Sequence, residues 1–110
     1  MTPVSGGISV PPVPAPLIEG LKRYGALKIL LFGSMARGEA DDMSDIDLVV
    51  VAHTNRSFTE RLRDVVDYIP RGSPPADVLV YTPEEFSRML AAGNGFIERI
   101  AAEGKVLYEA

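Results

Sequence analysis

The sequence predicts a single α/β domain with a small mixed β-sheet and flanking helices. Three short apolar runs, at residues 28–32, 45–51 and 76–81, are typical of buried strands, and the second is rich in β-branched residues. Segments with apolar residues at helical spacing alternate with these runs. This alternation of strands and helices predicts a sheet with helices packed against it.

The first helix is predicted from Pro16 to Tyr24, and Gly25 just beyond it is a typical helix stop. The segment before it is interrupted by prolines and is expected to be a flexible or extended arm over residues 1–15. The predicted domain is therefore 16–110.

A second helix is predicted over residues 58–69, between the second and third strands. Its apolar stripe comprises Phe58, Leu62, Val65, Val66 and Ile69. The opposite face is predicted to carry Glu60, Arg61, Arg63 and Asp64.

Thr82 followed by Pro83 predicts the N-terminus of a third helix, with acidic residues in its first turn. Two short helices are expected on either side of residues 93–95. Residues 106–108 then predict a last short strand at an edge.

Composition narrows the classes of function. The chain has 110 residues, of which 46% are hydrophobic, so one compact domain with a substantial core is expected. Its net charge is −4, from 11 basic and 15 acidic residues, with no Lys/Arg-rich run. A protein that follows duplex DNA needs a basic surface, so duplex DNA is not an expected partner.

The absence of cysteine excludes disulfides and thiolate chemistry, and it agrees with a reducing cytoplasm, the expected location. Prolines at 11, 12, 14 and 16 interrupt the apolar N-terminal residues, which have no basic flank. Neither a signal peptide nor a membrane span is predicted there.

Asp45 and Asp47 stand at the start of the second predicted strand. Alternate residues of a strand point to the same face, so these carboxylates are expected side by side. Closely placed Asp oxygens suit Mg²⁺, which also takes ligands from substrate phosphates. The alternative is a solvated strand end with ordinary turn chemistry.

Gly33 and Ser34 follow the first predicted strand, where the chain must turn. Gly33 permits close approach of the backbone, and Ser34 can cap the turn or bind a phosphate. A plain turn is the alternative, and neither a Walker A loop nor a dinucleotide-binding glycine motif is present. The ten residues between Ser34 and the Asp45/Asp47 pair make a combined phosphate and metal site a more specific interpretation.

Asp77 begins the third strand and would join the other two acids if the strands are neighbours; alone, it would be a solvated loop acid. Arg37 has two open interpretations. Its guanidinium suits a triphosphate, but it could equally form a surface ion pair with Glu39 or Asp42.

The chain resembles the DNA polymerase β nucleotidyltransferase superfamily, whose signature is matched by Gly33-Ser34, Asp45-Ile46-Asp47 and Asp77-Val78. The chain is most similar to its minimal nucleotidyltransferases, over residues 16–110. The resemblance implies a polymerase β palm-like nucleotidyltransferase fold. It also implies that Asp45, Asp47 and Asp77 are catalytic and hold two Mg²⁺ ions, while Gly33 and Ser34 hold the triphosphate of ATP or another NTP.

Three hypotheses for function follow. The first is transfer of AMP, or another NMP, to a hydroxyl of a partner protein; the resemblance implies a HEPN-type toxin as partner and an antitoxin role. The second is the same chemistry on a small molecule, with a separate subunit that binds it. The third is a non-catalytic binding module. The nucleobase, the acceptor and the oligomeric state are not predicted by the sequence.

Overall fold

The fold consists of four helices and four strands within residues 13–33 and 46–110, which are the residues that the computed structural model describes. This architecture confirms the predicted α/β class. In chain order the elements are α1 (Ala15–Tyr24), β1 (Lys28–Phe32), β2 (Ile46–Val51), α2 (Phe58–Val66), β3 (Ala76–Tyr81), α3 (Pro83–Ala91), α4 (Gly95–Glu103) and β4 (Lys105–Glu109).

The strands form one mixed sheet in the order β3-β2-β1-β4. β1 pairs antiparallel with both β2 and β4, whereas β2 and β3 are parallel. Parallel neighbours require a crossover connection, and α2 lies in that connection as predicted. The mixed sheet of the predicted fold is thereby confirmed.

Successive strand residues point to opposite sides of the sheet, so both faces carry apolar side chains, and helices cover both faces. On one face Leu48 and Val50 pack with Leu17 of α1 and Val65 of α2. The other face carries a smaller cluster, which comprises Leu30, Val49, Ile97 and Ile100. None of the helices in the described part of the chain has the length and apolarity needed to cross a membrane.

The predicted helix termini at Gly25 and Thr82 are confirmed. Gly25 ends α1 in a left-handed conformation, with a φ of 117°. Thr82 accepts a hydrogen bond from the backbone N–H of Glu85, and the Glu85 carboxylate accepts one from the N–H of Thr82. This reciprocal capping box fixes the start of α3 directly after β3.

Two predictions for α2 are wrong. The helix ends at Val66 instead of residue 69, and its buried face is rotated from the predicted stripe. Arg61, assigned to the polar face, is only 6% exposed, whereas the stripe members Phe58 and Val66 are 39% and 59% exposed. Arg61 is buried because its guanidinium binds Glu85 of α3.

Candidate functional site

Asp47 and Asp77 lie side by side on the parallel strands β2 and β3, where they are register partners. Phe32, the last residue of β1, is in turn the register partner of Asp47. These three residues form a row across three strands, on the face that carries α3 and α4. Neighbouring strands are about 4.8 Å apart, so the sheet itself holds the two carboxyl groups close together.

Gly33 follows the row directly and comes very close to Asp47. Its φ is +79°, a conformation that L side chains rarely adopt. A Cβ built on Gly33 would lie 2.6 Å from Oδ2 of Asp47. Glycine is therefore required here for two reasons, the backbone conformation and the space that the Asp47 carboxylate takes.

The remaining predicted site residues, Ser34, Arg37 and Asp45, lie outside the described residues. Their roles in binding phosphate or metal stay predictions. Of the three predicted catalytic acids, the structure thus brings together the two that it describes.

Two neighbouring carboxylates repel each other, and a bound cation relieves that repulsion. Asp77 is exposed and Asp47 is half-buried, so at least one of the pair is open to solvent. Within residues 13–33 and 46–110, no group of three or more His, Cys, Asp or Glu side chains is arranged to hold a metal ion. The described part of the site therefore supplies two carboxylates, with oxygen as the only donor atom type.

A groove of about 470 Å³ adjoins the two carboxylates. The described residues that line it are Phe32, Asp47, Leu62, Val65, Val66, Ile69, Ala76, Asp77, Val78, Leu79 and Phe96. Apart from the two aspartates these residues are all apolar, and none is basic. The groove therefore has the two carboxylates at one end, and its apolar walls lie on both sides of the edge strand β3.

Phe96, at the start of α4, is the wall residue that sequence reasoning missed. Its ring meets Phe32 edge-on, with centroids 5.5 Å apart and planes at 89°. Phe96 remains 41% exposed. No local pattern around Phe96 indicates this position, because the contact depends on how α4 packs on the sheet.

A second, smaller cavity of about 230 Å³ lies at the other end of β3. Its lining includes Phe58 and Tyr81, whose rings are tilted by 42° with centroids 5.5 Å apart. Burial raises the pKa of the Tyr81 phenol. Tyr81 is thus a half-buried residue at the rim of the fold, at the opposite end of β3 from Asp77.

Comparisons with known proteins agree with this architecture. The family model described as polymerase beta, nucleotidyltransferase matches residues 16–110. The fold resembles the crystal structure of a candidate nucleotidyltransferase from Sulfolobus solfataricus, with a TM-score of 0.59 and 23% sequence identity, over 84% of this chain and 74% of the other. No curated protein matches the chain. The structural likeness concerns the fold, and the family match covers the groove and both described carboxylates.

Proposed function

Since the chain belongs to the polymerase β nucleotidyltransferase family, we propose that it transfers AMP, or another nucleoside monophosphate, to a hydroxyl group of a partner protein. ATP or another NTP is the donor. The observation that supports this proposal is the pairing of Asp47 with Asp77 across β2 and β3, next to the close backbone approach of Gly33.

The transfer replaces a phosphoanhydride bond of the NTP with a phosphate ester bond to the acceptor. The acceptor oxygen forms a bond to the α-phosphorus, the bond from that phosphorus to the bridging oxygen of the β-phosphate breaks, and pyrophosphate leaves. The acceptor hydroxyl gives up its proton. Such reactions depend on positioning and on charge stabilisation more than on covalent chemistry of the protein.

The carboxylates of Asp47 and Asp77 fit the oxygen-donor preference of Mg²⁺, and Asp45 is the third proposed ligand for two such ions. Bound Mg²⁺ would supply charge stabilisation for the attacking and leaving oxygens. In the protein itself, the paired strands hold Asp47 and Asp77 at a fixed separation. Asp77 is exposed, which supports a role in which its carboxylate helps to accept the proton of an approaching acceptor hydroxyl.

The triphosphate is assigned to the turn after β1. Gly33 brings the backbone of this turn directly against the Asp47 carboxylate, so a triphosphate held by the turn would lie next to the proposed metal ligands. Ser34 and Arg37 are the proposed phosphate ligands that follow it, through a hydroxyl and a guanidinium.

The proposed partner is a HEPN-type toxin, for which this chain would act as the antitoxin in the cytoplasm. The resemblance to minimal nucleotidyltransferases supports this assignment. Modification of a hydroxyl on the toxin would add a bulky anionic group and silence it.

Label transfer in a host-cell lysate with Mg²⁺ tests the proposal. Wild type, Asp47→Asn and Asp67→Asn are compared, each with ATP labelled at the α- or the γ-phosphate. Asp67 is an exposed residue after α2 and is the matched control. We expect α-label on a discrete protein band with wild type and Asp67→Asn, and none with Asp47→Asn.

The alternatives give different results. Transfer of α-label to a small-molecule fraction would replace the protein acceptor with a small one. Transfer of γ-label, or equal transfer by Asp47→Asn, would contradict the proposed chemistry. Absence of transfer with every variant would favour a non-catalytic binding module.

A further inference from the structure

We propose that the acceptor is a polypeptide that docks in an extended conformation along the outer edge of β3, as an added strand. The inference rests on the proposed function, and it names the surface and the backbone chemistry that would select the acceptor. Three features support it: unpaired backbone groups at the edge, an apolar wall beside them, and the charge of the groove.

The backbone of β3 has an open outer edge. The carbonyls of Pro75 and Tyr81 accept hydrogen bonds from the N–H groups of Ile46 in β2 and Ala52 just after it, at 3.1 and 2.9 Å. The backbone groups of odd-numbered β3 residues therefore face β2. Successive residues of a strand alternate, so the N–H and C=O groups of Ala76 and Val78 point away from the sheet. Within the described part of the chain these outward groups have no hydrogen-bond partner.

The open edge is bounded at one end. Nη1 of Arg61 donates to the carbonyl of Val80 at 3.2 Å, so this outward carbonyl already has a hydrogen-bond partner. The open segment is therefore the one beside Asp77, where Ala76 and Val78 line the groove. Free edge groups bind extended backbones in strand-addition complexes.

Apolar side chains of α2, together with Ile69 just beyond its end, form the wall beside this edge. Leu62, Val66 and Ile69 line the groove, and Val66 is 59% exposed. This exposure places apolar surface next to the unpaired backbone groups. An occupant that satisfies both has an extended backbone and apolar side chains.

The charge of the groove argues against a nucleic acid acceptor. The described lining contains two carboxylates and no Lys or Arg, so it offers no cationic side chain to the successive phosphates of an RNA chain. A neutral, apolar peptide segment is the chemistry that this lining accommodates.

The direction of side chains adds a sequence preference. Asp77 points to the face of α3 and α4, whereas Val78 and α2 lie on the other face. In an added strand, a hydroxyl residue that points toward Asp77 has its two immediate neighbours directed to the α2 side. We therefore expect apolar residues immediately before and after the modified residue.

Synthetic nine-residue peptides provide the probe. Each has a central Ser, Thr or Tyr with Val or Gln on both sides, and fluorescein-labelled versions with a central Ala measure binding by anisotropy. Two further sets carry backbone N-methyl groups. In one set they are on the central residue and on the residues two positions before and after it. In the other set they are on the residues directly before and after the central residue. Label transfer from α-labelled ATP is measured on the unlabelled peptides.

We expect Val-flanked peptides to bind about tenfold more tightly than Gln-flanked ones. One N-methylated set should lose binding while the other keeps it, because only every second amide of an added strand pairs with β3. Equal behaviour of the two sets, or no binding by any peptide, would overturn the docking proposal.

Protein variants locate the surface. Val66→Glu should weaken binding about tenfold, whereas Val106→Glu should bind like wild type. Val106 is a matched control because it is 51% exposed on β4, the opposite edge strand. Equal binding by both variants would place the peptide elsewhere.

The two proposals fail in different ways. Binding that depends on the flanking residues and on the N-methylated positions, but without transfer of the α-label, would contradict the proposed function alone. Transfer that depends on neither would contradict only the docking surface.

Discussion

Arg61 of α2 binds Glu85 of α3 at two points, with N–O distances of 2.7 and 3.0 Å. The same guanidinium group donates to the backbone carbonyls of Arg56 and Val80, at 2.8 and 3.2 Å. Because Glu85 also closes the capping box of α3, one buried side chain links two helices to the edge strand. This link fixes α2, whose apolar wall borders the groove.

Replacement of Arg61 by Met should destabilise the fold by about 2–3 kcal/mol, since it leaves a carboxylate and two carbonyls without their donor. The value is below that of a fully buried pair because the Glu85 side chain is 34% exposed. Urea unfolding measures the change. Arg63→Met, at an exposed position of the same helix, should stay within about 0.5 kcal/mol of wild type. Equal stability of the two variants would contradict this role of Arg61.

The same ion pair predicts a loss of stability in acid. Hydrogen bonds from Arg61 lower the pKa of the Glu85 carboxyl from 4.5 to about 2, against the opposing effect of burial. A carboxyl with a lowered folded-state pKa stabilises the fold above its unfolded pKa, and this contribution is lost as pH falls through the folded value. The free energy of unfolding should therefore decrease from about pH 4.5 to pH 2.

Glu85→Gln should flatten this part of the pH profile, as measured by urea unfolding at a series of pH values. Some slope will remain, because hydrogen bonds from Ser57 and Arg56 respectively lower the pKa values of Glu60 and Asp64. A profile unchanged by Glu85→Gln would rule out Glu85 as a source of the pH dependence.

Local patterns were sufficient to predict several elements of this fold. Gly25 and Thr82 each act on the nearest turn of a helix, so the sequence around them predicts where α1 ends and α3 begins. Arg61 could not be assigned in this way. Its burial depends on Glu85, which lies in a different helix, and a charged residue in a helical pattern is normally placed on the solvent side.

In the candidate site, too, some features follow from local sequence patterns and others depend on tertiary contacts. Strand alternation alone predicts the face of each carboxylate, but the adjacency of Asp47 and Asp77 depends on the parallel pairing of β2 with β3. The sequence predicts that these two acids meet only if the two strands are neighbours, and no local pattern establishes that they are. The position of Phe96 is harder still to predict, because its contact with Phe32 arises from the packing of α4 against the sheet.

Gly33→Ala should disturb the site beyond its cost in backbone strain. The left-handed conformation costs a non-glycine residue about 1–2 kcal/mol, and the new methyl group would also displace the Asp47 carboxylate. Gly93→Ala is the matched control, because Gly93 has the same φ of +79° but no atom within 4 Å of an added Cβ. Both variants should lose similar stability in urea, whereas only Gly33→Ala should lose binding of Mg²⁺-ATP in calorimetry. Retained binding by Gly33→Ala would remove Gly33 from the proposed nucleotide site.

Asp77→Asn should have opposite effects on stability with and without Mg²⁺. Without the metal, the substitution removes repulsion from Asp47 and should stabilise the protein by about 0.2–1 kcal/mol. A cation that binds only the folded state raises stability by mass action, by about 2.7 kcal/mol at one hundred times its Kd. Thermal unfolding should therefore show a Tm increase on addition of MgCl2 for wild type and for the exposed control Asp67→Asn, with little increase for Asp77→Asn. An equal Mg²⁺ response in all three proteins would place the bound cation away from Asp77, because the two substitutions change charge equally and differ only in position.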